Sequence, residues 1–244
     1  MRSARTVLAF KWLLAAGMAA WLVAGVCATG SAATVMKRAV GVKPGYFDVQ
    51  LIYPNFSDAT PLARFANTML GLWARTELDR FTQEHARVFA APDKPRAPYA
   101  YTATPKVMYF APTRFISVVF DTYQFTGGAH GNPVSVVFNF GVIGTKAARL
   151  ALGDLFQPQT PYRRLVSEAV IKKLKSDDRA SFVRNGDVKA LTLLQLERFV
   201  VAQDGLIFLI DPAEAGPYVA GRFQVKLTVP ELGPGFRRTF VYGR

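Results

Sequence analysis

The sequence predicts an α+β fold: mostly antiparallel strands with two main packing helices. Three observations lead there. Aromatic and β-branched runs crowd residues 99–142, two stretches with apolar residues three and four apart each follow a Thr-Pro pair, and 50% of the 244 residues are hydrophobic, enough for a substantial core.

Residues 46–56 (YFDVQLIYPNF) alternate as a strand does, and Pro54 marks an edge or an exit. A helix follows, capped by Thr60, opened by Pro61 and striped by Leu62, Phe65, Ala66, Met69, Leu70, Trp73, Leu78 and Phe81, running to about Val88. Pro92, Pro95 and Pro98 then make a stiff, exposed connection, which divides a strand-helix subdomain (34–95) from a sheet-plus-helix domain (96–244). Residues 99–110, 113–125 and 133–142 read as strands of an antiparallel sheet, the last two joined by the glycine-rich stretch 127–132. Thr160-Pro161 caps a second helix, apolar at Leu165, Ala169 and Leu174 and cationic at Arg163, Arg164, Lys172, Lys173 and Lys175. A weaker helical stretch covers 188–196. Asp204-Gly205 between apolar runs signals a two-residue hairpin, and residues 222–229 (RFQVKLTV) alternate cleanly.

The N-terminus reads as an export signal, residues 1–33. Arg2, Arg5 and Lys11 precede fifteen uncharged, apolar residues (12–26), and Gly30, Ser31, Ala32 and Ala33 supply the small residues of a cleavage site. A bilayer span takes about twenty residues, so an uncleaved inner-membrane anchor is the alternative. Cys27 offers a lipidation site, although Val26 stands before it where lipoprotein processing wants a small residue. With cleavage after Ala33 the protein has no cysteine, hence no disulfide and no thiolate chemistry. The leader holds three of the 30 Lys and Arg and none of the 17 acids, so the remainder carries +10. Such a surface attracts anions. Export makes them envelope polymers, lipid headgroups at the membrane surface or acidic proteins rather than nucleic acid, for which no motif is present.

Enzyme signatures are missing. There is no Gly-x-Ser-x-Gly, His-Glu-x-x-His or Ser-x-x-Lys, and two histidines, His85 and His130, cannot supply a three-histidine zinc site. The expectation is therefore no metal, no cofactor and no catalytic residue. Asp121, Asp154, Asp211 and Glu214 lie at strand ends, where paired acids could converge as in wall-glycan hydrolases, but turn capping explains Asp154 and Asp211 more simply. The tentative ligand-binding residues are Gly127, Gly128, His130 and Asn132, whose turn offers backbone amides and an imidazole, together with Tyr218 as a stacking aromatic. A tight structural turn is the competing reading of those glycines.

Three ordered segments carry a resemblance: 125–131 (FTGGAHG), 150–156 (LALGDLF), and 205–221 continuing to Val229-Pro230-Glu231-Leu232. Their order and spacing resemble the extracytoplasmic domain shared by the lysozyme-sensing anti-sigma factor of Gram-positive bacteria and the noncatalytic N-terminal region of peptidoglycan deacetylases. The part with Tyr53-Pro54 and the helix from Pro61 is similar to the companion subdomain that precedes it. The resemblance implies two intertwined α+β subdomains, a stand-alone version without a deacetylase domain, and binding or sensing rather than catalysis. The expected protein is thus a periplasmic binding or sensing module for an anionic or glycan envelope component or an envelope protein. A wall-glycan hydrolase and a protein inhibitor or partner, such as a lysozyme-binding protein, are the alternatives; the positive charge disfavours basic lysozymes.

Overall fold

The computed structural model describes residues 34–243; the export signal and Cys27 lie outside them. In chain order the elements are β1 (Thr34–Lys43), β2 (Phe47–Phe56), α1 (Pro61–Glu84), α2 (Ala86–Ala90), β3 (Tyr99–Ala111), β4 (Phe115–Phe125), β5 (Asn132–Ile143) and β6 (Lys146–Arg149). They continue through α3 (Tyr162–Leu174), α4 (Ser181–Arg184), α5 (Leu193–Glu197), β7 (Phe199–Ala202), β8 (Gly205–Ile210), β9 (Phe223–Thr228), α6 (Val229–Leu232) and α7 (Arg238–Tyr242). The fold is α+β, with a six-stranded sheet in the order β1-β2-β3-β4-β5-β6 and a three-stranded sheet β7-β8-β9.

Neighbouring strands are antiparallel except β2 and β3, which run parallel because α1 carries the chain back to the sheet's starting end. The Thr60 hydroxyl accepts from the Ala63 amide, Pro61 opens α1, and Leu62, Ala66, Leu70, Ala74 and Phe81 bury one face of the helix on the large sheet. Ile116, Val118, Phe120, Phe138 and Phe140 meet it from the sheet. Strand β2 is interior, and Pro54 is accommodated there because the β2–β3 ladder ends at Leu51↔Ala103, before the missing N–H would be needed.

The other face of β3, β4 and β5 receives the small sheet. Val119 and Val137 pack on Val200 and Leu209, while Leu206, Phe208 and Ile210 turn away into a second core with Val166, Val170 and Leu174 of α3. The layers are therefore α1, large sheet, small sheet, α3. The large sheet continues on both sides of the proline-rich stretch around residues 92–98, joining what the sequence reading divides there, and the change of sheet comes after Arg149.

Three local expectations need correction. Strand β1, unassigned from sequence, pairs with β2 along its whole length. The second helix begins at Tyr162 with Pro161 as its cap and no side-chain capping bond, so Thr160 does not cap it. The β7–β8 loop is Gln203-Asp204, one residue earlier than expected, and Gly205 is already paired to Ala202. Gly205 answers a different need: a Cβ there would lie 2.0 Å from the Leu227 carbonyl oxygen of β9.

Candidate binding surface at the seam of the two sheets

Two polar clusters stitch the sheets together. In the first, Ser117 and Asn139 are polar residues flanked by apolar ones in β4 and β5, both fully covered. The Ser117 hydroxyl donates to Asn139 Oδ1 (2.7 Å), the Asn139 amide donates to the Phe199 carbonyl (2.8 Å), and the Val201 amide donates to Ser117 Oγ (3.0 Å). Outward-facing backbone groups of β7 are thereby satisfied by side chains of β4 and β5. No buried side-chain polar atom among the described residues lacks a partner.

The second cluster is ionic. The side chain of Asp211, 8% exposed, accepts from the amide and hydroxyl of Ser135, from Arg198 Nη1 (2.5 Å) and from Arg222 Nε (2.9 Å). Arg198 also pairs with Glu214, and Arg222 with Asp121. Burial works against the charge on Arg198, but Glu214 and Asp211 outweigh it and raise the guanidinium further. Asp211 opens the turn Asp211-Pro212-Ala213-Glu214, where Ala213 holds a left-handed φ of 68°, and the Asp211 amide is bound by the Glu214 carboxylate (2.8 Å). Arg198 grips both acids of this turn.

Three of the four acids named from sequence thus converge, each on an arginine. Asp154 is elsewhere: it binds the Ala151 amide at a short 3-10 turn (Leu152–Leu155). Both oxygens of Asp211 are filled by donors, leaving neither in place to exchange a proton with a substrate. Asp211 therefore does not cap its turn through its side chain, as expected from sequence: the carboxylate crosses to Ser135 of β5 and to the arginines, and Glu214 supplies the turn's side-chain bond instead.

Beside this network lies the glycine-rich turn. His130 stacks on Tyr218 at 4.4 Å between ring centres, the Tyr218 hydroxyl donates to the Gly131 carbonyl (2.9 Å), and the Gly131 amide donates to the Tyr123 hydroxyl (3.2 Å). A Cβ at Gly131 would lie 2.1 Å from the Tyr123 ring, so a larger residue there would displace that ring from its present contact. His130 also contacts the Gly131 carbonyl through Nδ1 (2.9 Å). Tyr218 is 40% exposed and Val219 90%, so the stacked pair ends in an exposed ledge. Of the remaining sequence candidates, Gly127 sits against Tyr99 with φ 89°, Gly128 is open, and Asn132 is exposed at the start of β5, opposite Gln124. The structure therefore joins His130 to Tyr218 and leaves the two glycines and Asn132 on the turn's outer side.

A shallow cleft next to Arg222 lies between the sheets, apolar at Met108, Val119, Ile207 and Leu209 and edged by Lys106. His85 is remote in role: its Nδ1 meets the Phe81 carbonyl, and its ring packs on Phe81 and Tyr99. Among the described residues no three His, Cys, Asp or Glu side chains gather as a metal site. Sequence reasoning missed Arg198, Ser135, Ser117 and Asn139. Ser117 and Asn139 did carry a signal, a polar residue interrupting an apolar run of its strand.

The family model described as deacetylase PdaC matches residues 42–133, and that described as a protein of unknown function, DUF3298, matches 153–229. The two models thus match successive parts of the chain. The first supplies most of the large sheet and α1, and the second supplies α3 and the small sheet. A DUF3298 family protein from Pseudomonas aeruginosa PAO1 has the same fold, with 19% identity and a TM-score of 0.61 over 86% of this chain and 98% of its own. A DUF3298 family member from Bacteroides fragilis NCTC 9343 gives 15%, 0.58, 86% and 96% respectively. No curated protein matches the chain. The two matched ranges cover the strand and helix of the first part, residues 125–131, residues 153–156 of the second segment, and the third segment as far as Val229.

Proposed function

We propose that this chain is an exported, noncatalytic binding or sensing module of the bacterial envelope, and that the ledge at the sheet seam takes a glycan-bearing envelope polymer. One observation carries the reading: the seam's acids are occupied by Arg198 and Arg222, while the His130–Tyr218 stack beside them faces solvent. Aromatic faces suit the apolar faces of sugars. The basic surface adds attraction for anionic wall or lipopolysaccharide groups. The PdaC match supports an extracytoplasmic setting, and no helix among the described residues is long and apolar enough to cross a membrane.

Co-sedimentation with isolated peptidoglycan at low salt tests the proposal. The protein is expected in the pellet, with muropeptide profiles unchanged after long incubation. Absence from the pellet would remove the glycan reading, and new muropeptides would replace it with the hydrolase.

A further inference from the structure

The four sheet edges of this molecule are treated unequally. Strand β6 has only four residues. Strand β7 is closed by Asn139 and Ser117. On β9 the Lys226 carbonyl accepts from Lys173, and the Thr228 amide is taken by Glu231. Strand β1 is ten residues long, pairs with β2 without a bulge, contains no proline, and has no such cover among the described residues. Long open edges are template surfaces for another strand.

Its register shows which groups are on offer. Both backbone groups of Phe56 turn to the Asn67 side chain, so its pair with Thr34 is not hydrogen-bonded. Alternation then turns Val35, Lys37, Ala39, Gly41 and Lys43 inward to β2. The backbone groups of Met36, Arg38, Val40 and Val42 face the free edge. Side chains match this pattern: Met36, Val40 and Val42 are each at least half exposed, on the face that Ala39 and Gly41 do not share.

We propose that β1 accepts an extended segment of a partner protein as a seventh strand, and that the segment alternates acidic with apolar residues. Charge selects it. The charged residues of β1 are Lys37, Arg38 and Lys43, all cations; Lys43 is engaged with the Phe89 carbonyl and Arg38 lies in the row of Met36, Val40 and Val42, so Lys37, on the opposite face, is left to meet the incoming acidic row. A second copy of β1 would bring cations only, on a chain of net +13. Backbone pairing supplies the affinity, and Met36, Val40 and Val42 supply an apolar row for alternate side chains.

A blocked decapeptide of alternating Glu and Val serves as the probe, with a Lys-Val decapeptide as control. The purified protein is expected to bind the acidic peptide, not the basic one, with slowed hydrogen exchange at the amides of Met36, Arg38, Val40 and Val42. Val40→Pro removes one outward N–H without touching the β1–β2 ladder, so it should weaken binding about tenfold while the melting temperature stays within about 2 °C. Should that variant misfold, Lys37→Glu should weaken binding with the backbone intact. No binding of the acidic peptide, equal binding by the variants, or a wild-type dimer that Val40→Pro dissolves would each overturn the proposal.

Discussion

The two halves of the molecule meet at two places that differ in what they leave free. At the inner contact, Ser117, Asn139, Asp211, Arg198 and Arg222 lie in or near the dry layer between sheets, and their donors and acceptors are consumed by one another. At the outer contact, His130 and Tyr218 also bridge the halves, yet Tyr218 keeps 40% of its surface in water. Polar residues at a junction therefore do not by themselves mark a site. Covered ones fix how the layers sit, and exposed ones keep surface for a ligand.

The largest break comes from removing Asp211. Asp211→Ala leaves Arg198 and Arg222, 15% and 13% exposed, without their shared acid. A loss of about 3–5 kcal/mol is expected in urea unfolding. Asn139→Ala strands the Phe199 carbonyl and should cost about 1–3 kcal/mol by the same measurement. Both act at the inner contact.

Much of this layout is legible in the sequence. Strands β3, β4 and β5 announce themselves because their aromatic and β-branched runs are long, and α1 because Thr60-Pro61 precedes a regular apolar stripe. Strand β1 is not legible: TVMKRAVGVK alternates weakly, since Ala39 is its one buried residue and an edge strand so little covered has little reason to segregate its residues. His130 and Tyr218 were named from local chemistry, yet their meeting depends on a separation of 88 positions that no local pattern encodes. The arginine partners of Asp211 were hidden for the same reason.

Alkali sharpens the comparison further. Tyr242 binds the Ala202 and Gly205 carbonyls beside the inner contact, and burial first of all raises its phenol above the ordinary value of 10.0; Tyr101 beneath α1 is raised for the same leading reason. A raised folded value favours the protonated phenol. This stabilisation is complete below about pH 10 and is lost as the pH climbs through the folded values. Urea midpoints should hold level up to about pH 10 and fall beyond it, less steeply in Tyr242→Phe.

A smaller effect is expected at Ala213, whose left-handed backbone sits where glycine would be relaxed. Ala213→Gly should change stability by less than about 1 kcal/mol, because relief of strain and a more flexible unfolded chain oppose each other. A larger change would mean that the Arg198 clamp does not hold the turn.

The smallest effect on stability and the largest on binding are expected together at the ledge. Tyr218→Ala, folded to the same melting temperature within about 3 °C, is measured for retention on isolated peptidoglycan against the unaltered protein. The account predicts a drop of about tenfold or more, the worth of one stacking aromatic with its hydrogen bond. Undiminished retention by the folded variant would contradict it.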